Sequence, residues 1–311
     1  MSVNSANENN KTENSKTEKQ NITKGTTGIL YLVATPIGNL EDMTFRAIRI
    51  LKEVDLIAAE DTRNSIKLLN HFEIKTPMTS YHEFNRYDKA KQLIADLLAG
   101  KNIAVITDAG TPGISDPGEV LVEMCYEEGI TVIPVPGAVA AVNALIASGQ
   151  KTRRFCFEAF LPTDKKERRA LLDSLSCETR TIVIYEAPHR LKETLKELGG
   201  LLGEERGITL CKELTKKHES FNKTTIGALL EYFGSEENNP RGEYVLVIEG
   251  KSEEAIRQEK QAEWDEVSIE DHILKYIDEG MTKKEAIKQV ALDRDMSKRD
   301  VYAVAVDMDI K

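Results

Sequence analysis

The sequence has no apolar run near the roughly 20 residues that a membrane-spanning helix needs, and its N-terminus carries no apolar core of a secretory signal. A cytoplasmic protein is therefore expected. Cysteine is sparse: Cys125, Cys156, Cys177 and Cys211 are scattered, with no C-x-x-C pair and no histidine at ligand spacing. Neither a disulfide framework nor a structural zinc site is supported, and no metal is expected. Common nucleotide and protease signatures are missing too. Gly250-Lys-Ser252 ends like a phosphate loop, but Val245 stands where its first glycine belongs, and neither G-x-G-x-x-G nor H-E-x-x-H occurs. ATP hydrolysis, hydride transfer and zinc hydrolysis lose weight accordingly. The formal net charge of −10 opposes nucleic-acid binding by the whole surface, while leaving room for a local basic patch.

What is present is the composition of a soluble globular protein, 41% hydrophobic and 30% charged over 311 residues, long enough for two domains and a small third. Residues 1–26 are almost wholly Asn, Lys, Glu, Ser and Thr and read as a disordered polar tail. From residue 27 to 150, short β-branched runs alternate with amphipathic segments. Strands are expected near 28–34, 56–59, 103–106 and 131–135, with a short one leading into Tyr81. The alternation predicts a parallel or mostly parallel sheet covered on both faces. A second α/β unit is expected over 151–250, and a cleft between the two is the natural ligand site.

The chain is organised around Thr107-Asp-Ala-Gly-Thr-Pro-Gly-Ile-Ser-Asp-Pro-Gly118, a loop that follows the buried run Ile103–Ile106. Gly110, Gly113 and Gly118 allow a ligand to lie against bare backbone, and Pro112 and Pro117 stiffen the loop before anything binds. Helical periodicity resumes at Glu119, so the loop sits at the carboxyl end of a strand, where open α/β sheets bind ligands. A similar strand, loop and helix arise at Thr35-Pro-Ile-Gly-Asn39. Uncharged loops rich in glycine and proline suit a ligand held by backbone groups and apolar walls, and an adenosyl sulfonium fits that description.

Beyond a charged linker at 251–265, the signatures Ser268-x-x-Asp271, Thr282-x-x-Glu285 and Ser297-x-x-Asp300 each open a helical pattern, predicting a small helix-turn-helix-like module over 266–311. Lys283, Lys284, Lys288, Lys298 and Arg299 give it a basic side. Yet residues 251–311 hold 11 basic against 16 acidic residues, so RNA contact and a solvated cap fit equally well.

Five stretches in order, Val33-Ala-Thr-Pro-Ile-Gly-Asn-Leu40, Ala59-Glu-Asp-Thr-Arg63, Thr107 to Gly118, Pro134-Val-Pro-Gly-Ala138 and Tyr185-Glu-Ala-Pro-His-Arg190, closely resemble the tetrapyrrole-methylase superfamily, in its branch acting on ribosomal RNA. The likeness covers about residues 28–250, and the C-terminal helices look like that branch's extra module. It implies two tandem α/β domains, a homodimer, and methyl transfer from S-adenosylmethionine to the ribose 2′-hydroxyl of cytidine 1402 in 16S rRNA of the small ribosomal subunit. Ring-methylating members usually carry G-x-G-x-G-D in the first loop and Gly-Asp-Pro in the later one. Here Thr35-Pro-Ile-Gly-Asn39 and Gly110-Thr-Pro112 stand instead, which favours RNA over a tetrapyrrole or other small molecule.

Carried over by position, the resemblance implies that Pro36, Gly38, Asp108, Gly110, Thr111, Ile114, Ala138 and Val139 border the cofactor from the first domain. From the second, Leu161, Tyr185 and Ala187 would close on it. Candidates to take the hydroxyl proton are Asp61, Glu83, Glu186 and His189, each just past an expected strand. Asp61 fits equally a pair with Arg63, and His189 a helix cap. Arg63, Arg86 and Arg190 suit phosphate contact. Lys165, Lys166, Arg168 and Arg169 form the densest basic run, suited either to an RNA backbone or to an exposed helix face.

Overall fold

The computed structural model describes residues 27–116, 118–252, 254–257, 262, 264, 267–306 and 308. The expected tail at 1–26, Pro117 and much of the expected linker lie outside the described residues.

The first sheet contains β1 (Ile29–Val33), β2 (Leu56–Ala59), β3 (Met78–Ser80), β4 (Ile103–Ile106) and β5 (Thr131–Val135), in the order β3-β2-β4-β1-β5 and parallel throughout. Both faces are covered, so its strands read as continuous apolar runs. On one face Val33, Ile57, Ala59 and Ile106 pack with Ala47, Ile50 and Leu51 of α1 (Phe45–Glu53) and Leu69 of α2 (Thr62–His71). On the other, Leu30, Ala58, Ile103 and Val105 pack with Leu93 and Leu97 of α3 (Arg86–Leu98) and Leu121 of α4 (Glu119–Glu127). Strands β1 and β4 lie side by side while their following helices leave to opposite faces. The crevice thus created at their carboxyl ends is where such sheets bind ligands.

The second sheet runs β6-β7-β10-β8-β9, formed by β6 (Phe155–Phe160), β7 (Thr181–Glu186), β8 (Gly207–Lys212), β9 (Ser220–Thr225) and β10 (Tyr244–Ile248). Only β6 and β7 are parallel; the remaining pairs are antiparallel. One face carries α6 (Lys165–Leu175), α7 (Leu191–Leu202) and α8 (Ile226–Gly234), whose leucines pack with strand residues such as Ile182, Ile184 and Leu246 to form this core. The other face is covered by α5 (Ala140–Ala147), which leaves the first sheet after β5 and buries Ala141, Ala144 and Leu145 against Val183, Val245 and Val247. This small-residue helix joins the two domains, fastened by hydrogen bonds from the Thr209 hydroxyl to the Ser148 carbonyl (2.8 Å) and from the Ala141 N–H to the Tyr185 hydroxyl (2.9 Å).

Three helices, α9 (Ile269–Asp278), α10 (Lys283–Asp293) and α11 (Lys298–Val306), close around Ile273, Ala286, Val290, Val301 and Ala305. Ser268 and Thr282 cap the first two as their signatures predict, and Thr282 with Glu285 makes the full reciprocal box. None of the helices among the described residues is long and apolar enough to cross a membrane.

Candidate functional site

Three loops meet at the carboxyl edge of the first sheet. Thr35, just past β1, and Gly110, past β4, exchange both backbone hydrogen bonds (2.8 and 3.1 Å), and the Thr35 hydroxyl also reaches the Thr107 carbonyl at 3.2 Å. The third loop joins through Ala138, whose carbonyl accepts from the Thr111 hydroxyl at 3.1 Å. Gly110 has φ +87°, and a Cβ there would stand 3.3 Å from Ile37 Cγ2 and 3.6 Å from the Ala138 carbonyl. The conformation calls for glycine, and the close Ile37 methyl leaves little room for a side chain. Gly137 is required by crowding alone, since a Cβ there would come within 2.7 Å of the Ala34 Cβ.

These loops form one wall of a cleft of about 540 Å³, and the second domain forms the other. From the first domain come Ile37, Asp108, Gly110, Thr111, Ile114 and Val139; from the second, Phe160, Tyr185, Ala187, Pro188, His189 and Val245. The register of β6 slips between Phe157 and Phe160, with Ala159 at φ +52°, and Phe160 then faces the cleft edge-on to Tyr185 at 5.5 Å. A bulge that re-aims one side chain beside a site is a recurrent device.

The cleft is acidic on one side. Glu60 directly follows β2 and accepts from the Asp108 N–H at 3.3 Å, and Asp116 lines the same cavity. Burial, reinforced by the charges of Glu60 and Asp108, pushes Asp116 up to about 7. Glu60 is raised too, chiefly by burial. A partly desolvated set of carboxylates is poised for a cationic group. The sequence patterns alone give neither Glu60 nor Asp116 a role in the site. The available signal is position: Glu60 directly follows a strand on the ligand edge, and Asp116 lies in the loop singled out as the ligand loop.

Other expected cofactor contacts are placed differently. Pro36 and Gly38 line an adjoining groove of about 420 Å³ that shares Ile37, Asp108, Ala109 and Glu243 with the cleft. Ala138 acts as a backbone strut. Leu161 is 1% exposed and packs in the core of the second domain, not on the cleft wall, because its strand end turns it toward α6 and α7.

Of the four candidate bases, only Glu186 and His189 border the cleft. The Glu186 carboxylate is turned inward. It accepts from the Ala187 N–H at 2.8 Å and from the Thr194 hydroxyl, with Arg190 Nε at 3.7 Å. His189 is exposed at the rim. Asp61 caps α2 and is gripped by the Arg63 guanidinium (2.7 and 3.0 Å), whose hydrogen bond holds it down to about 2. Glu83 pairs with Arg86 in a turn away from the cleft.

The basic candidates divide likewise. Lys165 and Lys166 are exposed, and Arg169 pairs with Asp173 one turn along at 2.9 Å. Arg168 is only 7% exposed, bound to Glu197 and to the Thr194 hydroxyl at 2.7 Å each, and so cannot track an RNA strand. Arg190 donates to the carbonyls of Leu161 and Pro162, fastening β6's exit to α7. Among the described residues, none of the His, Cys, Asp and Glu side chains group as a metal site would require.

Known proteins sharpen this picture. A sequence model of the tetrapyrrole (corrin/porphyrin) methylases matches residues 29–230. A Synechocystis protein named ribosomal RNA small subunit methyltransferase I is 49% identical over 282 residues, covering 91% of this chain and 99% of its own. The Bacillus subtilis protein of that name is 50% identical over 279 residues, covering 90% and 94%. Among solved structures, uroporphyrin-III C-methyltransferase from Thermus thermophilus is similar in fold, with TM-score 0.51 at 20% identity over 71% of this chain and 94% of its own. With a match over most of its two α/β domains and half-identical relatives spanning nearly its whole length, the chain belongs to the tetrapyrrole methylase family.

Proposed function

We propose that the protein is an S-adenosylmethionine-dependent methyltransferase that acts on a ribose 2′-hydroxyl of small-subunit ribosomal RNA, at cytidine 1402 of 16S rRNA. The observation that carries this reading is the cleft itself, apolar along Ile37, Ile114, Val139 and Val245 and acidic at Glu60, Asp108 and Asp116. Such walls fit a ligand with an aromatic base at one end and positive charge at the other. Relatives half identical and named for this activity support the RNA acceptor.

Val139 and Ala140 would wall the adenine, while Asp108, Gly110 and Thr111 hold the ribose and methionine portions. Tyr185 and Ala187 would close the cleft from the second domain. Bound there, the cofactor supplies a methyl carbon already made electrophilic by its sulfonium. The chain's own task is then alignment, a proximity effect that can supply roughly 7–11 kcal/mol, and removal of the hydroxyl proton, typically worth about 10²–10⁴-fold. Asp116, with a proton affinity near neutrality, suits that second task; His189 at the rim is the alternative. A ribosomal substrate implies a cytoplasmic setting, and a homodimer rests on the family resemblance.

Incubation with methyl-labelled cofactor and either unmodified small subunits or uroporphyrinogen tests the reading. Label is expected in 16S rRNA as 2′-O-methylcytidine. Label in the tetrapyrrole alone would overturn the acceptor. Subunit binding without any heat of cofactor binding would point instead to an inactive ribosome-binding factor.

A further inference from the structure

The C-terminal module presents a groove of about 710 Å³ between α10 and α11, lined by Lys283, Lys284, Ile287, Lys288, Lys298, Arg299 and Tyr302. Five of these seven residues are cationic and none is acidic. Four of the segment's carboxylates are engaged away from the groove. Glu285 closes the cap box with Thr282, and Asp271 and Asp300 bond to Ser268 and Ser297. Asp293 accepts from Tyr276 and Gln289. Those four sit at helix starts or on the module's inner side, and the groove's own lining is positive although the segment's composition is net acidic.

The cations are also available. Lys284, Lys288, Lys298 and Arg299 are exposed and form no ion pair among the described residues. Lys283 is half-buried and donates to the Met308 carbonyl at 3.1 Å, which anchors one side of the groove. Tyr302 is 59% exposed beside them and offers a ring on which a base or sugar can lie.

We infer that this groove is a second contact for the RNA substrate, gripping its phosphodiester backbone away from the methyl-transfer cleft. This rests on the RNA reading above and deepens it: the cleft chooses the nucleotide and the module supplies charge-driven affinity. Two helix stripes with four unpaired cations and an aromatic ring suit spaced phosphates, whose contacts position a protein without reading sequence. An acidic protein surface is the competing partner, and the experiment separates the two.

The full-length chain carrying Lys284→Glu, Lys288→Glu and Arg299→Glu together is compared with the unaltered protein, and a triple glutamine variant guards against misfolding. Binding of naked 16S rRNA and of small subunits is followed against salt, with S-adenosylhomocysteine calorimetry as a control on the cleft. Loss of three phosphate contacts should lower the slope of log K against log salt by about 2–3. The KM for subunits should rise about tenfold or more with kcat unchanged, and the cofactor's affinity should not move. An unchanged salt slope and KM in both variants would overturn the inference. Weakened binding to subunits with undiminished binding to naked RNA would assign the groove to a protein and overturn it equally. If the groove governs RNA affinity but no methyl group is transferred, the catalytic reading fails and the groove's role stands.

Discussion

Gly110 is the residue on which the cleft's construction converges, because its peptide is bonded to Thr35, its missing Cβ faces Ile37, and its neighbour Thr111 holds the third loop. Gly110→Val should abolish binding of S-adenosylhomocysteine in calorimetry. The left-handed backbone adds a penalty of roughly 1–3 kcal/mol that the remaining fold can bear. Retained affinity would remove this loop from the site. Asp116 carries a pH dependence whose sign follows from its raised proton affinity. Between about 4 and about 7 the folded state holds a proton that the unfolded state has released, so this residue's contribution to stability falls as pH rises through that window. Asp116→Asn should therefore stabilise the fold more at pH 8 than at pH 5 in urea unfolding, the difference in unfolding free energy being on the order of 1–3 kcal/mol, while weakening cofactor binding. In the unaltered protein, preference for the sulfonium-bearing cofactor over its neutral-sulfur product should shrink below pH 7, as the carboxylate takes up its proton. Equal preference across that range, measured by competition binding, would contradict an acidic wall facing the sulfonium. At this scale the glycine was legible in the sequence, because a positive φ leaves a compositional mark. The raised proton affinities of Glu60 and Asp116 were not, because burial and mutual repulsion arise only where the turn after β2 meets the loop after β4, two segments remote in sequence.

Among the elements, α6 and α7 best illustrate what patterning conveys and conceals. Lys165, Lys166, Arg168 and Arg169 read as one basic face, yet Arg168 falls in the stripe continued by Leu172 and Leu175, and the stripe is what packs inward. Helical spacing held that information; charge drew attention away from it. Buried Arg168 shares Thr194 with Glu186, so one hydroxyl bridges a guanidinium and a carboxylate beneath the Tyr185–Arg190 turn. Thr194→Val keeps the shape and removes both hydrogen bonds. It should lower stability by about 2–4 kcal/mol in urea unfolding, and an unchanged midpoint would show that the network carries no weight. Strand β9 was not legible at all. Its sequence Ser-Phe-Asn-Lys-Thr-Thr is largely exposed, as an edge strand paired on one side can be, and lacks the apolar alternation that announces a half-buried strand.

For the molecule as a whole, the two domains and the cleft between them follow from strands that deliver glycine- and proline-rich turns to one edge. The antiparallel pairing in the second sheet does not, since strand direction depends on connection geometry more than on composition. The small-residue α5 and the turn residues Ile37 and Val139 pack on the second sheet and so join the two domains, and the cleft lies between the loop edge of the first and the second domain. A crystal structure of the protein with S-adenosylhomocysteine tests this most directly. Adenine is expected against Val139 and Ala140, with the homocysteine portion beside Asp108, Gly110 and Thr111 and the sulfur toward the carboxylate side. Ligand density elsewhere, with the Thr35–Gly110 cleft closed by packed side chains, would contradict the account.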